Sequence, residues 1–147
     1  MTRFQAEDST LVHRAPDEVF RFLCDPDLDP AQLTPMEDRV EEWQGLKGVG
    51  SLCRTTVSLA ARDLDCVSRC VEFEPPERVV LQLEGDIKGK QTWHVTPENG
   101  DTRLHLALDL EAPQWTPEYL RDEQVAQNWG QMLVDQTLEN VKEALEK

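Results

Sequence analysis

Arg69 is the first residue to question chemically, because it stands inside an apolar strand pattern, Cys66 to Pro76, "CVSRCVEFEPP". With a period of two, Val67, Arg69, Val71 and Phe73 share one face, and Cys66, Ser68, Cys70 and Glu72 share the other. A guanidinium keeps its charge when buried, and an unpaired buried charge costs several kcal/mol. Two roles follow. Arg69 either reaches the rim and pairs with surface acids such as Glu42 or Asp109, or it receives a carboxylate, phenolate or enolate oxygen of a bound molecule.

The other reactive types offer less. His13, His94 and His105 are scattered along the chain, and by alternation His94 and His105 fall on solvated strand faces, so neither is a good general base. The four cysteines, Cys24, Cys53, Cys66 and Cys70, make no CxxC pair and have no histidine beside them. A zinc site is therefore not supported. Cys66 and Cys70 lie about 13 Å apart along one strand, too far to bridge. All four read as reduced thiols behaving as small hydrophobes, and Cys53 lacks the partner a nucleophile needs. No catalytic residue, metal ligand or cofactor is expected.

The elements that would position Arg69 follow from the pattern. "FQAEDSTLVH" reads as a first strand. "APDEVFRFLCDP" is a helix, with Pro16 suited to its first turn, Asp17 and Glu18 at its positive end, and Asp25-Pro26 as its stop. A second short helix fits between Pro30 and Pro35. From residue 38 to 111 the pattern is strands between turns, with Asn99-Gly100 a hairpin signal. Leu104, Leu106, Leu108 and Leu110 form one buried face. From Pro117 a single helix approaching 30 residues, about 45 Å, carries Val125, Trp129, Met132, Leu133, Val141 and Leu145 at helical spacing. For the hairpin of residues 51–74, a register placing Arg69 across from Thr55 and Val57 across from Val67 keeps the apolar faces together. It also sends Cys53 and Cys70 to opposite faces, so no disulfide is expected there.

A chain of 147 residues with 39% hydrophobic and 30% charged residues reads as a single globular domain, 1–147. The net charge of −14, from 29 acidic and 15 basic residues, repels phosphate backbones and anionic bilayers, so no nucleic-acid partner is expected. No apolar run is long enough for a membrane span. The opening "MTRFQAEDST" lacks the apolar core of a secretory signal, which makes the cytoplasm the expected location.

The element order resembles the helix-grip fold of the START-like superfamily, also called SRPBCC, and within it the polyketide cyclase/dehydrase-like branch. Five stretches in order carry the likeness: "HRAPDEVFRFLCDP", "GLKGVGS", "VEFEPPERVVLQLEG", "TWHVTPENGDTRLHLALDLE" and "LENVKEALEK". The resemblance implies an α+β domain. A curved antiparallel sheet of six to seven strands would wrap the long C-terminal helix, with two short helices after strand 1 and a cavity between sheet and helix. Members bind lipids, polyketides, sterols, hormones or aromatic rings, and some are cyclases. The iron ligands of the oxygenase relatives and the Trp-rich motif of the chaperone-stimulating branch have no counterpart here.

If the sheet grips the helix, apolar strand faces line the interior. The expected ligand-contacting set is Val57, Arg69, Val71, Phe73, Leu81, Trp93, Leu106, Leu108, Trp129 and Leu133. Trp43 and Trp115, near turns, would line an entrance. An interior without an acid–base pair favours a binding or carrying protein for a hydrophobic or amphipathic small molecule over an enzyme. The alternative is a cyclase/aromatase in which Arg69 stabilises enolate charge. A third reading is an acidic protein-interaction module. The chain is expected to be a monomer or homodimer.

Overall fold

A computed structural model describes residues 2–34, 37–59, 62–112 and 122–147. Strand β1 (Thr2–Val12) leads into helix α1 (Pro16–Cys24), which has proline at its start and buries Val19, Phe20 and Leu23. The second short helix is a single 3-10 turn, Pro30–Gln32, whose capping Asp29 side chain accepts from the Ala31 amide. Proline at both expected boundaries leaves room for no more than that turn.

Six strands follow: β2 (Glu37–Trp43), β3 (Leu52–Leu59), β4 (Arg62–Glu74), β5 (Arg78–Gly85), β6 (Lys88–Glu98) and β7 (Asp101–Ala112). With β1 they make one antiparallel sheet in the order β1-β7-β6-β5-β4-β3-β2. The β6–β7 turn is Asn99-Gly100, with φ of 52° and 87°. Positive φ at both positions matches the twist of a two-residue hairpin. Leu104, Leu106, Leu108 and Leu110 are all buried, as alternation predicts.

Helix α2 (Glu123–Glu146) is capped by Asp122, which accepts from the Gln124 and Val125 amides. Its expected start at Pro117, and Trp115, lie outside the described residues. The helix runs beside β1 and closes that strand's free edge. Gln127 Oε1 accepts from the Gln5 amide at 2.8 Å, and Gln131 Nε2 donates to the Glu7 carbonyl at 3.3 Å. Lys142 Nζ donates to the Leu11 carbonyl at 2.6 Å, and Glu146 Oε1 accepts from the His13 amide at 2.8 Å. An edge that could template aggregation is thus occupied by side chains of the same chain.

The buried stripe of α2 is Ala126, Gly130, Leu133, Val134, Thr137, Leu138 and Val141. Val125 and Met132, expected inside, are 39% and 45% exposed, and Gln136 is exposed too. Small residues let the helix come close. Gly130 lies over Phe4, whose ring packs edge-on against Trp129 at 5.2 Å. Hydropathy alone gives alanine, glycine and threonine little weight, so it rotates the stripe toward the larger side chains.

The β3–β4 register differs from expectation and corrects the face of β4. Leu59 pairs with Arg62, and from there Thr55 faces Cys66, Cys53 faces Ser68 and Leu52 faces Arg69. Arg69 thus stands three residues from the partner expected for it, and an odd shift turns every side chain over. Cys66, Ser68 and Cys70 are buried on the inner face, while Val67 is half-buried and Arg69 exposed. Cys53 and Cys70 therefore share the inner face rather than opposing ones, and neither forms a disulfide. A bulge between Cys70 and Glu72 then reverses the alternation. Phe73 returns to the inside, where its ring meets Phe20 at 5.5 Å.

Candidate functional site

Between the sheet and its coverings lies a partly open cavity of about 70 Å³. The inner face of β3 to β6 contributes Cys53, Ser68, Val79, Leu81, Gln91 and Trp93. Leu23 at the end of α1, then Leu28, Pro30, Leu33 and Thr34 around the 3-10 turn, close one side. Trp43 and Leu46 close the next, and Thr137 of α2 completes the wall.

Hydrogen bonds hold these walls to one another. Trp43 Nε1 donates to the Asp25 carbonyl at 2.9 Å, which fixes the indole as a rigid plane. Asn140 Nδ2 of α2 donates to the Leu33 carbonyl at 2.9 Å and ties down the 3-10 turn. The Leu46 amide donates to the Cys24 carbonyl at 3.0 Å. Beside it Gly45 takes a φ of 83°, and a Cβ there would stand 2.5 Å from that same carbonyl oxygen. Glycine is what the close approach requires. The tip of this loop is Val49, 71% exposed.

No carboxylate, imidazole, ammonium or guanidinium is present among the described lining residues. The polar groups are neutral. Thr137 Oγ1 is already used, donating to the Leu133 carbonyl at 2.6 Å. Ser68, 7% exposed, and Gln91 line the cavity with no side-chain hydrogen-bond partner among the described residues. Deeper around α1, burial pushes the Cys24 thiol up to about 11, with Cys70 adding to the effect. Thiols so raised are poor nucleophiles at neutral pH.

Of the ten residues expected to contact a ligand, Leu81 and Trp93 line this cavity. Val57, Leu106, Leu108 and Leu133 are buried core away from it, and Trp129 packs over Phe4. Phe73 packs beneath α1. Val71, at the bulge, is half-buried, and Arg69 is exposed on the outer face. Trp43, expected near an entrance, is a wall. The lining residues outside the expected set include Ser68 of β4, Gln91 of β6 and Thr137 of α2, and several others come from α1 and the turns, where Leu23, Leu28, Leu33 and Leu46 carry an apolar signal.

A larger depression of about 550 Å³ lies outside the sheet over β1, β7 and β6, lined by Gln5, Glu7, Lys90, Thr92, Asp109 and Gln131 among others. It is open and charged. Arg3 pairs there with Asp109 at 2.9 Å and holds that carboxyl below its usual range. The smaller cavity between sheet and helices has the apolar walls that a hydrophobic ligand needs.

The chain matches the family model described as polyketide cyclase/dehydrase and lipid transport over residues 3–146. No protein of curated function matches it. Among solved structures it is similar to a conserved protein from Geobacillus kaustophilus, with a TM-score of 0.75 and 14% identity over 97% of this chain and 95% of that one. It is also similar to the Zhui aromatase/cyclase from Streptomyces sp. R1128, with a TM-score of 0.72 and 19% identity over 98% and 94%. A third likeness is to Ara h 8.0201, with a TM-score of 0.67 and 12% identity over 98% of both chains. Identities this low show a shared fold.

Proposed function

Because this chain belongs to the polyketide cyclase/dehydrase and lipid transport family and has its helix-grip fold, we propose that it binds or carries a hydrophobic or amphipathic small molecule in the cavity between sheet and helix. The observation that carries this reading is a partly open, largely apolar space with no acid–base pair among its described walls. Ring closure or dehydration of a keto chain needs a positioned proton donor and acceptor. The neutral walls supply neither, and the exposed Arg69 lies where it cannot stabilise enolate charge inside. Holding a ligand without turning it over is what such walls do best.

The test is native mass spectrometry of the protein as purified, followed by melting curves with a panel of apolar molecules. An adduct lost on denaturation, or a raised Tm with panel members, supports binding. Leu81→Trp, which fills the cavity, should abolish both while the far-ultraviolet circular dichroism stays unchanged. Absence of any adduct and of any shift would overturn the proposal. Conversion of a poly-keto or aromatic substrate at a rate lost in Leu81→Trp would favour the cyclase reading instead.

A further inference from the structure

The outer face of the sheet carries two imidazoles side by side. His94 of β6 and His105 of β7 are direct partners in the antiparallel ladder, so their side chains leave the sheet from neighbouring positions on one face. Their ring centroids lie 6.1 Å apart, with the planes tilted by 56°. His94 is exposed and His105 half-buried. From β1, Glu7 places Oε2 at 3.8 Å from His105 Nε2.

This spacing suits a shared metal ion. Metal–nitrogen bonds of about 2.0–2.1 Å put the centres of two rings bound to one ion roughly 5–6 Å apart. The exposed His94 ring needs only a small turn to reach that separation. Charge decides whether a dication is welcome. Arg78 faces His94 from β5 and would oppose one, but its guanidinium is held by Glu72 at 2.7 Å. Glu74, across the ladder from Arg78, and Glu7 add negative charge, and the chain carries −14 overall. Burial, Arg78 and His105 also lower the affinity of His94 for a proton, which leaves its lone pair available at neutral pH.

We propose that His94 and His105 form a two-point chelate for a divalent transition-metal ion on the outer face of the sheet. Among the described residues no group of three or more metal-ligating side chains stands ready-formed, so the other positions fall to water and to the exposed Glu7 carboxylate. Imidazole donors select zinc, copper or nickel over magnesium and calcium. The ion clasps β6 to β7 on the face opposite the cavity, and the site does not depend on the binding role proposed above.

Zn²⁺ is the probe, titrated calorimetrically into the reduced protein at about pH 7.5, where imidazoles are neutral. One ion per chain is expected, with affinity reduced at least about tenfold in His94→Gln and equally in His105→Gln, because a single imidazole is not a chelate. The double variant should bind no more weakly than either single one. Saturating Zn²⁺ should raise the Tm of the parent and leave that of either variant unchanged. Metal-free melting curves confirm that the variants are folded, and either single variant suffices if the other is not. In proton spectra, Zn²⁺ should move the ring resonances of His94 and His105 and leave those of His13, which pairs with Asp101, in place. At about pH 5 protons should displace the ion. Affinity intact in a folded single variant, or loss in one variant only, assigns the metal to thiols or carboxylates elsewhere and overturns the proposal. Absence of any binding in the parent overturns it as well.

Discussion

Arg69 shows how much one residue's role depends on its neighbours across the ladder. Its type and spacing mark it as an interior cation, yet it is exposed, because Leu59 pairs with Arg62 and the hairpin closes three residues away from the register that hydropathy favours. Arg69→Met should therefore change stability by no more than about 0.5 kcal/mol and leave ligand affinity intact. A large loss in either quantity would restore it to the site. His94, on the exposed face of β6, is one residue through which pH should act on this fold. Burial, then Arg78 and His105, lower its affinity for a proton. The folded state thus resists protonating His94, and the stability this represents is present above the imidazole's ordinary value and lost as pH falls below about 6.5. His94→Gln should shrink the drop in Tm between about pH 7 and about pH 5. Identical drops in the variant and the parent would disprove the link.

Helices and strands were legible where their pattern was long or their punctuation strong. Proline, the acidic first turn and Asp25-Pro26 bound α1 as it occurs, and the alternating leucines of β7 face inward as read. The stripe of α2 was legible only in part, since its closest approach is made by Gly130 against Phe4. That contact gives a prediction of unusual sign. Glycine in a helix costs about 1 kcal/mol relative to alanine, so alanine would ordinarily stabilise. Here the new Cβ would lie 2.7 Å from Phe4 Cδ2, in a ring 3% exposed and locked against Trp129. Overpacking costs about 1–3 kcal/mol, so Gly130→Ala should lower stability by about 1 kcal/mol in chemical denaturation. A stabilised variant would mean that the helix can move off β1.

At the scale of the whole molecule the cavity poses a problem of volume. Its 70 Å³ is well below the roughly 150 Å³ that encloses benzene, so a ring can enter only if a wall gives way. The walls made of turns are the ones with fewest ladder bonds: residues 28–34 and the loop 44–51, with glycines of positive φ at 45, 48 and 50. Hydrogen exchange should show these two segments slowed by bound ligand more than the strands of the inner face. Uniform slowing, or slowing confined to the β1–α2 contact, would place the binding site elsewhere. The sequence by itself determined the order of elements, the likeness to the helix-grip fold and the apolar side of β7, because these rest on periodicity, proline and glycine, which act locally. Tertiary structure alone decided which face of β4 looks inward, which stripe of α2 is buried and which fourteen residues meet around the cavity. Register and bulge are settled by pairing across strands, and close helix approach by the absence of side-chain bulk. An odd shift in register exchanges inside for outside, as the shift of three did for Arg69 and Ser68.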